Sequence, residues 1–227
     1  MYSISTGTLG INDASIWRKT FIYAAWTLAA PMALATSSNL GIDPSAIQAG
    51  SLVTVQADLK SQAKDELNSE LLTELRRELP GVRQVGTAKL KFWGFDVYTA
   101  TLWAAPGFKP TQYAQHSFAL DLAYLTSLEG SAIAKRSLAE MQRLGTITPE
   151  RAQAWQVAMA ELFPDVKTGD RITGLHRAGS GAAFWVNGKA KGEIKDVEFA
   201  RLFFGIWLAE GTSEPAMRQA LLGLRPT

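Results

Sequence analysis

From Asp58 onward the spacing of apolar positions changes several times, and each change predicts an element. Leu67, Leu71, Leu75 and Leu79 recur every four residues with charges between them, which predicts a helix over 58–79 ended by Pro80-Gly81. Residues 82–104 are rich in β-branched and aromatic side chains, as expected of one bent strand or two strands, with Gly94 as a bulge. Phe118 to Leu125 reads as a further strand. Ile133, Leu138, Met141 and Leu144 form a helical stripe, with Gly145 as its C′ residue. Thr148-Pro149-Glu150 opens the next helix with an N-cap, a proline at the first position and an acid in the first turn, and its expected buried face is Ala152, Trp155, Met159 and Leu162.

Three strands follow over 170–177, 182–186 and 190–194. They are joined by Ala178-Gly179-Ser180-Gly181 and by the two-residue hairpin turn Asn187-Gly188. Asp196 caps a helix carrying Phe199, Leu202, Phe203, Ile206 and Trp207, and Thr212-Ser213-Glu214-Pro215 opens a last one ending near Leu222. Strands and helices in separate runs predict an α+β fold with an antiparallel sheet.

Upstream, Arg18-Lys19 precedes an apolar run from Phe21 that ends in Ala33-Leu34-Ala35. The run is about 15 residues, short of the roughly 20 a membrane span needs, and it matches a signal peptide cleaved after Ala35. The expected organisation is a leader and signal peptide over 1–35, a Ser/Gly/Ala-rich linker over 36–57 with one short strand at Leu52-Val53-Thr54-Val55, and a single domain over 58–227. A periplasmic or secreted protein is expected, with no stable membrane insertion once the signal is removed.

Composition narrows the chemistry. The 227 residues are 47% hydrophobic and 19% charged, enough for a large core. Twenty-three Lys+Arg against 21 Asp+Glu is too balanced for a chain whose main partner is a nucleic-acid backbone. With no cysteine and only two histidines, His116 and His176, thiolate sites and three-His metal centres are excluded. No cofactor is expected. Phosphate-loop, dinucleotide-glycine and nucleophile-elbow motifs are missing. Asp165 and Asp170 read as turn formers, and both histidines as lone surface residues. The Phe and Trp stripe of the 196–209 helix reads as core, with a lipid-pocket lining as the alternative.

The stretch from Lys89 to Trp103 carries the most chemistry. On a regular strand Lys89, Lys91 and Trp93 share a face with Phe95 and Val97. A bulge at Gly94 would instead align them with Asp96, Tyr98, Ala100 and Leu102, bringing a cation and a phenol together against an amphiphile with one acid group. Solvated lysines and a core tyrosine remain the other reading.

Gly86-Thr87-Ala88-Lys89, followed by Phe95-Asp96-Val97-Tyr98-Thr99-Ala100-Thr101-Leu102-Trp103, resembles the chalcone isomerase-like family in its exported bacterial branch. The resemblance continues through Phe118-Ala119-Leu120, the 133–141 helix, Phe163 to Gly174, Phe199 to Leu208 and Thr212 to Pro215. It implies an open-faced β-sandwich: a large antiparallel sheet, a helical layer and a ligand cleft between them. The family's enzymes use an Arg, a Thr and a Tyr around a ketone, and an Asn and a Ser/Thr at the far ring. Carried over by motif, the Thr position falls near Trp93, the Tyr on Ile133, the Asn on Glu140 and the last Ser/Thr near Phe199. The Arg falls on Arg83 or on Lys89.

At the other four positions each replacement removes the needed donor or brings in bulk or charge, and one oxyanion donor alone is worth about 3–4 kcal/mol of transition-state stabilisation. Chalcone isomerase activity is therefore not expected. Non-catalytic relatives imply fatty-acid binding through an Arg and a Tyr, roles open here to Lys89 and Tyr98. The expected ligand-binding set is Lys89, Trp93, Tyr98, Thr101, Ile133, Glu140 and Phe199, and the expected partner is a small amphipathic molecule. Two rival functions remain. One is an isomerase or intramolecular lyase with Glu140 or Asp96 as base. The other is a haem or tetrapyrrole binder using Tyr98 or a histidine.

Overall fold

A computed structural model describes residues 72–224, together with Gln62 and Ser69. The expected signal peptide, the linker with its short strand, and most of 58–71 lie outside the described residues. Residues 72–78 are helical, as the leucine spacing predicts.

Among the described residues six strands form one antiparallel sheet in simple sequential order: β1 Arg83–Phe92, β2 Phe95–Ala104, β3 Phe118–Tyr124, β4 Arg171–Arg177, β5 Gly181–Val186 and β6 Lys189–Ile194. Among the described residues, besides the helix over 72–78 and a 3-10 helix at Pro110–Gln115, four α-helices accompany it: α1 Gly130–Leu144, α2 Pro149–Leu162, α3 Val197–Leu208 and α4 Pro215–Leu221. This is the α+β architecture that the sequence pattern predicts. The N-caps are also as expected. The Thr148 side chain accepts from Arg151 N, and Asp196 accepts from the backbone N–H groups of Glu198 and Phe199.

Register divides the side chains of the sheet between two faces. Tyr98, Leu102, Phe118, Leu120, Leu122, Ile172, Gly174 and Phe184 stand on the face covered by α3. Thr101, Trp103, Ala119, Asp121, Thr173, Leu175 and Trp185 stand on the other. Leu75 and Leu79 close over Ala119, Leu175, Ala183 and Trp185 on that second face. Strand β3 is therefore buried on both sides, as its sequence, apolar but for Asp121 and the Tyr124 hydroxyl, allows.

Three local expectations are corrected. Gly94 is not a bulge: with Trp93 at φ 51° and Gly94 at φ 85°, the two form a tight hairpin turn between separate strands. The pairing has two irregularities: near the turn Leu90–Lys91 faces Tyr98–Val97–Asp96, so Val97 is the extra residue, and at the far end Gln84–Val85–Gly86 faces Trp103–Leu102, so Val85 is. Gly145 ends α1 with extended backbone (φ −172°) rather than as a left-handed C′ residue. A Cβ there would lie 3.0 Å from Leu202 Cδ2, so close approach is what suits glycine to the position. His176 is not on the surface but 1% exposed, stacked on Phe118 at 4.9 Å, with Nδ1 donating to His116 O at 2.8 Å. Burial lowers its pKa.

Candidate ligand site between sheet and helices

The Val97 bulge decides which residues meet. Lys89 pairs with Thr99 and Leu90 with Tyr98, so Lys89 and Tyr98 occupy opposite faces. Beyond the bulge, Asp96 pairs with Lys91 and so joins the Lys89 face. Lys89 Nζ lies 2.7 Å from Asp96 Oδ2, and Lys91 Nζ lies 3.7 Å from Asp96 Oδ1. The hydrogen bond from Lys89, joined by the charges of both lysines, holds Asp96 below the usual carboxylate range. The side-by-side placement of Lys89 and Tyr98 that a Gly94 bulge would give is therefore not what the register produces.

Tyr98 has different neighbours. Its hydroxyl accepts from Trp207 Nε1 at 3.0 Å, and its ring meets Tyr124 edge-on at 5.9 Å. Burial pushes its pKa well above the ordinary value of 10.0, so the phenol keeps its proton at any physiological pH. Among the described residues no acceptor is recorded for that proton. Glu214, Arg136 and Glu140 act on Tyr98 through their charges. Glu140 is 7% exposed and ion-paired with Arg136 one turn back and with Arg143 at 3.5 Å. Glu214 is raised, first by desolvation and then by the charge of Glu140.

Trp207 also lines an apolar crevice of about 10 Å³ between Leu120, Leu122 and Ile172 on the sheet and Phe203 and Phe204 on α3. That is room for one water-sized guest. A longer guest needs Trp207 or Phe203 to move. Gly174 borders the same crevice, and a Cβ there would lie 3.2 Å from the Phe204 ring.

The remaining expected site residues are dispersed. Trp93 sits at the hairpin tip, 67% exposed. Thr101 is on the far face, 3.3 Å from Thr87 Oγ1. Phe199 is fully buried, stacked on Phe203 and edge-on to Trp155. Ile133 and Glu140 lie on α1. The expected set therefore brings only Tyr98 and Glu140 into one electrostatic neighbourhood. Arg136, Trp207 and Glu214 were missed by sequence reasoning. The Arg136–Glu140 spacing of four is a helical ion-pair signal, and Trp207 belongs to the stripe read as core or lipid lining.

On the far face, Asp121 accepts from Thr173 Oγ1 at 2.8 Å and is ion-paired with Arg171. Burial raises it despite these partners. Asp170 serves a turn, accepting from Lys167 N at 2.8 Å, whereas Asp165 accepts from Gly130 N at 2.9 Å and so holds the start of α1 rather than its own turn. Among the described residues no group of three or more His, Cys, Asp or Glu side chains is placed to hold a metal ion.

A sequential six-stranded antiparallel sheet with a helical layer and an apolar crevice between them defines an open-faced sandwich. Residues 83–223 match the family described as chalcone isomerase-like, and the chain belongs to that family. An uncharacterised protein of Haemophilus influenzae is 27% identical over 139 residues, which cover 61% of this chain and 67% of that protein. The crystal structure of a fatty-acid binding protein from Arabidopsis thaliana superposes with a TM-score of 0.51 at 13% identity, covering 63% of this chain and 87% of that one. This last likeness shows the fold.

Proposed function

We propose that the protein is a non-catalytic binder of a small amphipathic acid, of fatty-acid type, exported after cleavage following Ala35. The observation that carries this reading is the Tyr98 hydroxyl. It is buried, un-ionised and anchored by Trp207, and its proton is available to a guest at the edge of an apolar crevice. A neutral phenol donates well to a carboxylate oxygen, while the charges of Glu214 and Glu140 oppose that of Arg136 around it. The tail would enter past Trp207 and Phe203, by displacement of side chains rather than into standing space. The fatty-acid-binding neighbour supports the same ligand class. The enzyme donor positions, occupied here by Ile133, Glu140 and Phe199, support a non-catalytic role.

Titration of the purified protein with a fluorescent fatty acid tests the binding, with Tyr98→Phe as the comparison. Saturable binding that weakens in Tyr98→Phe is expected. Absence of binding, or identical binding by the variant, overturns the assignment. Amino-terminal sequencing of the mature protein tests the cleavage.

A second reading rests on Glu214. A carboxyl group raised by its surroundings, beside a neutral phenol, is an acid–base pair suited to isomerase or lyase chemistry. A Glu214→Gln variant that loses turnover on an enone substrate while still binding the fatty acid would favour it.

A further inference from the structure

Gly174 interrupts an apolar layer. On the α3 face, side chains form transverse rows across β2 to β5. Ala100, Leu122, Ile172 and Val186 make one row, and Leu102, Leu120, Gly174 and Phe184 make the next. Gly174 alone among these eight has no side chain, and the apolar crevice borders it. The backbone does not require glycine there, because Gly174 lies inside β4 and outside the left-handed region. Glycine within a central strand marks a place where something else comes close. Here the crowding atoms belong to rings: Phe204 lies 3.2 Å and Phe184 3.3 Å from where a Cβ would stand.

Both rings are held in place. Phe184 meets Phe163 and Phe203 edge-on at 5.1 and 5.3 Å. Phe204 meets Phe118 and His176 edge-on at 5.1 and 5.4 Å. The crevice therefore has a fixed end at Gly174, and Trp207, whose indole reaches Tyr98, stands at the other. Tyr98 pairs with Tyr124, two rows from Gly174, and β2 lies two strands from β4. That separation is about 13 Å along the strands and about 10 Å across them, or roughly 16 Å corner to corner. An extended saturated chain, with bonds of about 1.5 Å, advances about 1.25 Å per carbon, so about 13 carbons cover the distance. A crevice of about 10 Å³ admits a chain one methylene wide and has no room for a branch or a ring.

We propose that Gly174 is a specificity-determining residue of the candidate site. It receives the terminal methyl of a single unbranched acyl chain whose carboxylate is at Tyr98, and so selects straight-chain acids of about 13 carbons. The inference rests on the fatty-acid reading above and adds the shape and length of the tail. The selection is made by a missing side chain, and the rings around it keep the space from collapsing.

Isothermal titration of the full chain with straight-chain saturated acids from octanoic to palmitic, and with a methyl-branched acid of intermediate length, reads the profile. Wild-type affinity should rise about fourfold per added methylene, peak near 13 carbons and then fall. The branched acid should bind about tenfold more weakly than the straight acid with the same number of carbons. Gly174→Ala should move the peak to shorter chains by about one or two carbons, because its methyl occupies the end of the crevice. Phe204→Leu, which takes ring atoms away from beside the glycine, should move it to longer ones. Thermal melts report that each variant is folded. A flat wild-type profile, equal binding of the branched acid, or a peak unmoved in both variants overturns the inference and leaves the fatty-acid reading standing. No binding of any acid by the wild type overturns that reading and this inference together.

Discussion

Trp207 Nε1 donates a 3.0 Å hydrogen bond to the hydroxyl of Tyr98, 109 residues away, and so ties α3 to β2 beside the apolar crevice. The bond satisfies a largely buried indole N–H and orients the phenol. One interaction thereby links the stability of the helical layer to the chemistry of the candidate site.

Tyr98→Phe should therefore be costly to the fold as well as to binding. It leaves the Trp207 N–H without its acceptor, a loss of about 1–3 kcal/mol. Urea unfolding of Tyr98→Phe, Trp207→Phe and the double variant checks this. The double variant should lose less than the sum of the singles, because the second change no longer orphans a partner.

Lys89→Ala should leave fatty-acid affinity unchanged. Lys89 stands on the face opposite Tyr98 and is engaged with Asp96 at the surface. Equal titration curves for the wild type and the variant are expected. A marked loss of affinity would place the ligand on the other face of the sheet.

His176 should make the protein less stable as the medium is acidified. Its folded pKa lies below the ordinary 6.5 because burial disfavours the imidazolium, so the unfolded chain takes up the proton first. The contribution is complete above pH 6.5 and drains away as pH falls through that value towards the folded pKa. Asp121, raised by burial, acts with the opposite sign in the lower range where carboxylates titrate. The urea midpoint should fall between about pH 7.5 and about 5.5, with a shallower slope in His176→Gln.

Gly86→Ala should unseat the C-terminal helix. A Cβ at this position would lie 2.3 Å from Ala220 O and 2.5 Å from Leu221 O, and both are backbone atoms that no rotamer change can clear. A loss of about 1–3 kcal/mol is expected, with limited proteolysis cutting first near α4. The first glycine of the family-like motif Gly86-Thr87-Ala88-Lys89 thus has a packing role.

Elements, turns and caps were legible in the sequence because their causes are local. The leucine period predicted the helix at 72–78, Asn187-Gly188 its turn, and Asp196 and Thr148 their caps. The ordered motifs also carried the family. Candidate site residues were legible only in part. Tyr98 and Glu140 fall in one neighbourhood, but their working partners Arg136 and Trp207 come from helices whose spacing also fits ordinary ion pairs and core.

Facing was decided by tertiary structure. A single extra residue reverses the side of every neighbour along a strand, and the sequence cannot say where that residue sits. The sheet places it at Val97, satisfying Leu125 N with Val97 O while sending Lys89 and Tyr98 to opposite faces. The crevice likewise depends on how closely Phe203, Phe204 and Trp207 approach Gly174. Propensity and pattern set which segments become strands and helices, whereas parity and packing between distant segments set which side chains share a space.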